Sequence, residues 1–300
     1  MPIYTIHHLT RYTYDEPVSV CHNLAHLMPR LASRHQWRYA DIEVVPTPAI
    51  RAERLDYFGN RLTFFAIQQP HRELEVVARG QVELEPAASA QVISSITWEV
   101  ARDHIQTRIS SQSPWPAELL DAFQFTFPSP YIRWDGEVAA YANGSFVPNR
   151  PMLDAVLHLS DRIYREFVYD TKSTTVSTTL PEILKARGGV CQDFAHLMIG
   201  CLRALGLSAR YVSGYLLTSP PPGKPRLVGA DASHAWVSVY IPDLGWLDVD
   251  PTNNVIPSDK HITLAWGRDF GDVSPLRGVI LGGGRHQIQV KVDVSPTAAA

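Results

Sequence analysis

The hydrophobic pattern changes its period along the chain, and this change constrains the fold more than any other feature of the sequence. Residues 1 to about 100 carry short alternations typical of strands, such as ELEVV and QVELE on either side of Gly80. In DYFGNRLTFF, two such segments meet at Gly59 and Asn60, as in a hairpin. We therefore predict an all-β domain with a sandwich-like arrangement over residues 1–100.

The apolar spacing becomes helical between about residues 101 and 188. PMLDAVLHLSDRIYREF places Leu153, Val156 and Ile163 at helical spacing. In TTLPEIL, Thr179 precedes a glutamate by three residues, the spacing of a capping box. Strand-like segments follow further on, including HAWVSVYI, GWLDVD and the alternating QIQVKVDV, for which we predict one buried face. The second region, residues 101–300 with a helical lead-in at 101–188, is thus predicted to be α+β.

The charge and the cysteine count exclude several classes of function. A net charge of −3 gives no electrostatic reason to expect nucleic acid or an anionic membrane as a partner. No apolar run approaches the ~18 residues of a membrane helix, and MPIYTIHHLTRYTYDEP lacks the layout of a secretion signal. Three cysteines, at positions 21, 191 and 201, do not suggest a disulfide framework, so we expect free thiols in the cytoplasm.

The segment RGGVCQDFAHL places Cys191 at the N-terminus of a predicted helix. A broad apolar stripe follows the cysteine and ends at Gly206, a natural helix stop. The unpaired N–H groups of a helix N-terminus favour thiolate over thiol, and Gly188 and Gly189 allow a close approach of backbone and substrate. A lone cysteine in this place is more often a small buried hydrophobe. It becomes a candidate nucleophile only if a base and an orienting partner accompany it.

The segment DASHAWVSVYIPDLGWLDVDPTNN supplies both partners on a predicted hairpin. Turn-forming residues at 242–245 join a strand that begins at His234 to one that ends at Asp250. If Ile241 pairs with Gly245, Asp250 becomes the diagonal neighbour of His234 on the same face, within reach of a hydrogen bond. A register shifted by one residue would separate the two side chains. Asp248 competes for the same role because it shares that face.

These segments, in this order, resemble the transglutaminase-like superfamily, and most strongly its bacterial branch of "transglutaminase-like putative cysteine proteases". The motifs that carry the resemblance are GGVCQDFAHL, RALGLSARYVSGYL, ASHAWVSVY, GWLDVDPTNN and HITLAWGRDFGDVSPLRG. The resemblance covers about residues 150–295, and residues 1–100 look like the N-terminal domain usually fused to this branch. It implies a papain-like α+β fold, in which a helix bearing the cysteine packs on an antiparallel sheet bearing the other two residues.

The family's catalytic cysteine, histidine and aspartate fall on Cys191, His234 and Asp250. By this resemblance, the three residues form a triad that acts on amide bonds through an acyl-thioester, without a cofactor. The DPT match favours Asp250 over Asp248. The backbone N–H of Cys191 and the side chain of Gln192 are candidate oxyanion donors.

Three functions fit this resemblance. A peptidase or amidase acting on peptide or protein substrates is favoured. The alternatives are a protein-glutamine γ-glutamyltransferase, which transfers the acyl group to an amine, and a non-catalytic peptide-binding module that keeps the fold.

Other sequence features give weaker indications. Cys21, His22 and His26 invite a metal site, and on a helix the two histidines would share a face, but no second ligand pair accompanies them, so we predict no metal. His7, His8 and His196 are interpreted as packed or surface histidines. Trp236 and Trp246 either line the cleft or belong to the core of the sheet. The proline-rich stretch 219–229 is a substrate gate or only a connection.

Overall fold

The fold was obtained as a computed structural model that describes residues 1–31, 34–85, 93–111, 116–218 and 233–297. The predicted gate at 219–229 lies outside the described residues. No helix in the described ranges is long and apolar enough to cross a bilayer.

The N-terminal region is built of strands, as predicted. They are β1 (Ile3–Ala25), β2 (His35–Val45), β3 (Ile50–Leu55), β4 (Arg61–Ile67) and β5 (His71–Leu84). β3 and β4 form the predicted hairpin, and Gly59 in its loop has a φ of +75°, a conformation that favours glycine.

The remaining elements form the α+β region and two final strands. The helices are α1 (Trp98–Ser111), α2 (Ala117–Phe123), α3 (Gly136–Asn143), α4 (Met152–Glu166), α5 (Leu180–Ala186), α6 (Cys191–Ala204) and α7 (Phe270–Val273), with a 3-10 turn at Gln124–Thr126. The strands are β6 (Val168–Tyr169), β7 (Gly188–Gly189), β8 (Ala209–Leu216), β9 (Ser233–Ile241), β10 (Gly245–Val249), β11 (His261–Gly267), β12 (Leu276–Gly282) and β13 (His286–Pro296).

The strands of the N-terminal region belong to one continuous sheet rather than to the two separate sheets of a sandwich. The long strand β1 lies at its centre and pairs with β5 and β13 along its first half, and with β4 and β12 along its second half. The register shifts between Thr13 and Val18, where β1 passes from one set of partners to the other. A single long strand therefore serves two halves of the β domain, with an irregularity in pairing between them.

The two final strands, β12 and β13, pair with β1 and so belong to this sheet. The sequence pattern assigns them instead to the second region, residues 101–300. β13 pairs with β1 from Tyr4 opposite Pro296 to Tyr14 opposite His286. Only its second half is buried, since Val292 and Val294 pack against the other sheet of the molecule, whereas Ile288 is 55% exposed. The prediction of one fully buried face for QIQVKVDV was therefore wrong for its first half.

The second sheet has four antiparallel strands in the order β10–β9–β8–β11, and α6 packs on β8 and β9. Phe194, Leu197, Met198 and Leu202 from the predicted apolar stripe of α6 are buried in this core. The stripe ends as predicted at Gly206, whose φ of +78° requires glycine. This packing directs the N-terminus of α6 to the end of the sheet where β9 begins.

The N-terminal sheet packs directly on the second sheet. A buried cluster joins Tyr4 and Val82 of the first sheet to Tyr215, Ile262 and Leu264 of the second. A buried hydrogen bond of 2.9 Å between Nδ1 of His8 and the hydroxyl of Tyr215 crosses the same interface. A shared hydrophobic cluster and a buried hydrogen bond therefore join the β domain to the α+β region, while each also has a buried cluster of its own.

Candidate active site

Cys191 is the first residue of α6 and is half-buried. Its position at the helix N-terminus exposes it to the unpaired N–H groups of the first turn. Cys201 lies on the same helix, and all three cysteines are free. The thiol is thus available for chemistry.

The turn before Cys191 is held by Asp193, which sequence reasoning did not single out. Its carboxylate accepts a hydrogen bond from the backbone N–H of Val190 at 2.8 Å and from the hydroxyl of Thr174 at 2.6 Å. Burial raises the pKa of Asp193, while these two donors act in the opposite direction. The sequence signal was an acidic residue three positions after an N-cap, Val190, whose side chain has no acceptor of its own.

The predicted hairpin register is observed. Gly245 lies opposite Ile241, and Val249 lies opposite Val237. The register therefore continues without a shift to the end of the hairpin that carries His234 and Asp250. His234 is the second residue of β9, and Asp250 follows β10 directly. Nε2 of His234 lies 2.8 Å from Oδ2 of Asp250. The turn at 242–245 sets this register. It therefore brings together the side chains of His234 and Asp250, which are 16 residues apart in the sequence.

Cys191 lies close enough to His234 to act on the pKa of its imidazole. Because Nε2 faces Asp250, Nδ1 is the ring nitrogen that is left for the thiol. Burial lowers the pKa of His234, but the hydrogen bonds and negative charges of Asp250 and Cys191 outweigh burial and raise this pKa to about 10. An imidazolium held by a buried carboxylate beside a thiol is the arrangement that a thiol nucleophile requires.

Asp250 is fully buried and is surrounded by hydrogen-bond donors. Its Oδ1 accepts the backbone N–H groups of Thr252 at 2.9 Å and Asn253 at 3.2 Å. Its Oδ2 accepts Nδ2 of Asn253 at 2.7 Å, in addition to His234. Burial alone would raise the pKa of Asp250, but the donors hold this pKa well below its usual range. The carboxylate is therefore a stable anion beside His234.

A second imidazole, His261 of β11, reaches the same carboxylate. Its Nε2 lies 2.9 Å from Oδ2 of Asp250, and the ring is buried. Sequence reasoning missed its role, because the alternating pattern of HITLAW predicts a strand but gives no partner for its first residue. Ligand atoms of His234, Asp250 and His261 lie within 4.8 Å of one another, a spacing compatible with a metal ion, and hydrogen bonds already use these atoms.

The competing carboxylate, Asp248, has a different partner. Its Oδ2 accepts the indole N–H of Trp236 at 3.0 Å. Trp236 is fully buried and packs against the rings of His234 and His261, with centroid distances of 6.1 and 5.2 Å. Trp236 is therefore a core aromatic residue under the two histidines rather than an open wall of a cleft.

Two of the remaining candidates, Trp246 and His196, have hydrogen-bond partners outside the three proposed catalytic residues. Trp246 donates its indole N–H to Asp121 at 3.1 Å and stacks with Arg210. His196 is buried and accepts the backbone N–H of Phe270 at 3.1 Å, as expected for a packed histidine. Gln192 is half-buried next to Cys191, and its role as an oxyanion donor stays a prediction.

The Cys21 cluster does not have the helical geometry that would place its histidines on one face. Cys21 and His22 lie on β1, where neighbouring side chains point to opposite faces, and His26 follows the strand. Nε2 of His26 lies 3.4 Å from a carboxylate oxygen of Asp56. Cys21 is buried and accepts a hydrogen bond from Asn23. Packing and these contacts account for Cys21 and His26, which are buried, whereas His22 is exposed and lies against the ring of Phe64.

Comparison with known proteins agrees with this architecture. The model of the bacterial transglutaminase-like N-terminal region matches residues 4–83, and the model of the transglutaminase-like superfamily matches residues 139–251. An uncharacterized protein of Mycobacterium tuberculosis is 39% identical over 301 residues, which cover 98% of this chain and 92% of that protein. An uncharacterized protein of Mycobacterium leprae is 32% identical over 97% of this chain and 98% of its own length.

Two further comparisons involve proteins whose names state an activity. A protein-glutamine gamma-glutamyltransferase of Pseudomonas aeruginosa is 42% identical over 76 residues, which cover 25% of this chain and 11% of that protein. The crystal structure of a "putative cysteine protease" from Cytophaga hutchinsonii superposes with a TM-score of 0.76 at 20% identity, covering 100% of this chain and 92% of the other. This last likeness concerns the fold of the whole chain. The chain belongs to the transglutaminase-like superfamily and carries the bacterial N-terminal region of that family.

Proposed function

We propose that the protein is a thiol enzyme that cleaves amide bonds of peptides or proteins through an acyl-thioester. The observation that carries the proposal is the contact of one imidazole, His234, with both the thiol of Cys191 and the buried carboxylate of Asp250. Membership of a family that contains thiol enzymes of this kind supports it.

In the first half-reaction, the thiolate of Cys191 attacks the carbonyl carbon of the amide and forms a tetrahedral oxyanion. The imidazolium of His234 then gives its proton to the departing nitrogen, and the C–N bond breaks to leave a thioester and a free amine. Asp250 orients the ring and stabilises its charged form. The N–H of Cys191 and the side chain of Gln192 are the proposed donors to the oxyanion.

In the second half-reaction, His234 takes a proton from a water molecule as that water attacks the thioester carbonyl. The C–S bond breaks, and a carboxylic acid and the Cys191 thiolate are released. If a primary amine attacks in place of water, the product is a new amide. The partial match to a glutamine gamma-glutamyltransferase supports this transfer reaction as the second candidate. Access of water to the acyl-enzyme decides between the two outcomes.

A reducing compartment such as the cytoplasm suits this chemistry, because only a free thiol can act as the nucleophile and all three cysteines are free. A binding module that has lost turnover is the remaining alternative. It has no need for a buried carboxylate behind an imidazole in contact with a thiol.

The test is mass spectrometry of peptide pools incubated with the wild-type protein and with Cys191→Ala, with and without a primary amine. Newly cleaved amides that depend on Cys191 support hydrolysis, and amine adducts that depend on Cys191 support transfer. Identical pools for the two proteins would contradict the proposal and favour the binding module.

A further inference from the structure

The carboxylate of Asp250 holds a second imidazole that the proposed reaction does not use. His234 and His261 place their Nε2 atoms at 2.8 and 2.9 Å from the same oxygen, Oδ2. An ionised carboxylate is only an acceptor, so Nε2 of His261 is protonated and donates. Nδ1 of His261 is buried and has no hydrogen-bond partner among the described residues, which costs free energy. The fold keeps this histidine in spite of that cost.

The other hydrogen-bond donors to Asp250 cannot fix the orientation of its carboxylate in the same way. Thr252 and Asn253 belong to the turn that follows Asp250 and move together with it. His261 belongs to β11, a separate strand on the far side of β8 from the hairpin. It therefore ties the carboxylate to an element that does not share the movements of the turn.

We propose that His261 is a positioning residue of the active site, which holds the carboxylate of Asp250 in the orientation that meets His234, and that the N-terminal β domain holds His261. The proposal rests on the thiol chemistry proposed above. The role of the β domain follows from its contacts with the backbone edge of β11 that does not pair with β8.

β11 is the edge strand of the four-stranded sheet, so only one of its backbone edges pairs with β8. The N-terminal region supplies partners to its backbone. The contacts are the N–H of Thr263 to Nε2 of His35 at 3.2 Å, the N–H of Arg30 to the carbonyl of Leu264 at 3.0 Å, and Asn60 to both the carbonyl and the N–H of Trp266 at 2.8 and 3.0 Å. The position of His261 therefore depends on a domain that contributes none of the three proposed catalytic residues.

Titratable groups surround the ring of His261 on several elements. Asp250 and His234 approach it from the hairpin, and His35 of β2 lies against its backbone carbonyl at 3.3 Å. Asp248 lies behind the indole of Trp236, which packs edge-on against the His261 ring. The pH profile of the alkylation rate in the variants measures the combined effect of these groups on Cys191 and His234.

The experiment measures alkylation of Cys191 by iodoacetamide as a function of pH in the full-length protein, with mass spectrometry of the peptide that contains Cys191. His261→Gln keeps an N–H donor, and His261→Phe keeps a ring without one. We expect His261→Phe to lower the rate at neutral pH about 10- to 100-fold, the usual effect of losing an orienting partner. We also expect its acid limb, the rise in rate with pH as the thiolate forms, to move to higher pH, because a poorly oriented Asp250 stabilises the imidazolium less and the thiolate loses its charged partner. His261→Gln is expected to restore the wild-type profile.

Thermal unfolding of the same variants separates positioning from a merely structural role. If His261→Phe has the wild-type profile, the proposal is overturned. It is also overturned if His261→Phe and His261→Gln lower the alkylation rate to the same extent and the acid limb of the pH profile does not move. Iodoacetamide requires no substrate, so a lack of amide cleavage would overturn the proposed function without affecting this result. A wild-type thiol that reacts like free cysteine would overturn both.

The role of the β domain is tested with His35→Leu. Its matched control is His71→Leu, which alters another largely buried histidine, on β5 of the same domain, whose Nδ1 contacts the carbonyl of Gln69. We expect His35→Leu to shift the profile in the same direction as His261→Phe, by about threefold in rate, and His71→Leu to leave the profile unchanged. Equal profiles for the two leucine variants would overturn the proposed role of the β domain.

Discussion

Oδ2 of Asp250 lies 2.8 Å from Nε2 of His234, and this contact leaves only Nδ1 of the ring for the thiol of Cys191. The carboxylate thus determines which nitrogen carries the proton that the reaction transfers.

Replacement of Asp250 by asparagine tests the orienting carboxylate. The amide cannot stabilise a charged His234, so we expect kcat/KM for amide cleavage to fall at least about 100-fold, within the range of general acid–base effects. The control is Asp248→Asn, which changes a neighbouring acid whose partner is Trp236. Activity within about threefold of wild type is expected for it. Equal losses in the two variants would contradict the assignment of Asp250.

The pH dependence of alkylation tests the ion pair between Cys191 and His234. The pKa of His234 is raised to about 10, so the ring stays charged beside the thiol through the neutral range. We expect Cys191 to react with iodoacetamide at pH 6 about 100-fold faster than an ordinary thiol, which is almost fully protonated there. His234→Ala should abolish this advantage. A variant that keeps the wild-type rate at pH 6 would contradict the pairing.

The same raised pKa predicts how stability changes with pH. A histidine whose pKa is higher in the folded state binds its proton more tightly there, so its contribution is fully present below its unfolded pKa, about 6.5. That contribution is lost as the pH rises toward the folded pKa of His234, about 10. We expect the free energy of unfolding in urea to fall more between pH 6.5 and 9.5 for the wild type than for His234→Gln. Parallel curves for the two proteins would show that the ring is not charged in the native state.

Replacement of Asp193 by alanine tests the turn before the thiol. The change leaves the N–H of Val190 and the hydroxyl of Thr174 without their shared acceptor. We expect a loss of about 1–3 kcal/mol in the free energy of unfolding, with slower alkylation of Cys191. Urea unfolding and the alkylation assay check both effects. Unchanged stability would mean that water replaces the carboxylate at no cost.

The two glycines before Cys191 are expected to differ in their tolerance of a side chain. A Cβ at Gly189 would lie 2.7 Å from the carboxylate and 2.8 Å from the Cβ of Asp193, whereas a Cβ at Gly188 would lie 3.4 Å from its nearest neighbour, Ser173. We therefore expect Gly189→Ala to lower the melting temperature by several degrees and to slow alkylation. Gly188→Ala is the control and should be close to wild type. The opposite order would show that Asp193 moves aside readily.

Much of the local structure follows from the sequence because short-range chemistry specifies it. Thr179 and Glu182 form the predicted capping box at the start of α5. The turn at 242–245 and the alternation of its strands determine the hairpin register, and with it the meeting of His234 and Asp250. The helix that begins at Cys191 follows from its apolar stripe and its glycine stop.

Other relationships depend on which distant segments bury each other's faces. The pattern of β13 specifies a strand, but several edges could accept it, and pairing with β1 was decided by the apolar surface that Val292 and Val294 bury against the second sheet. His261 likewise gains its partner only when β11 packs beside β8, which places the ring next to a carboxylate from another edge of the sheet. The sequence by itself determined the helix that begins at Cys191 and the hairpin that brings His234 to Asp250, because hydrogen bonds and turns between near neighbours encode them. The tertiary structure alone decided the second imidazole on Asp250 and the support of β11 by the N-terminal domain, because long-range burial, rather than local pattern, selects such contacts.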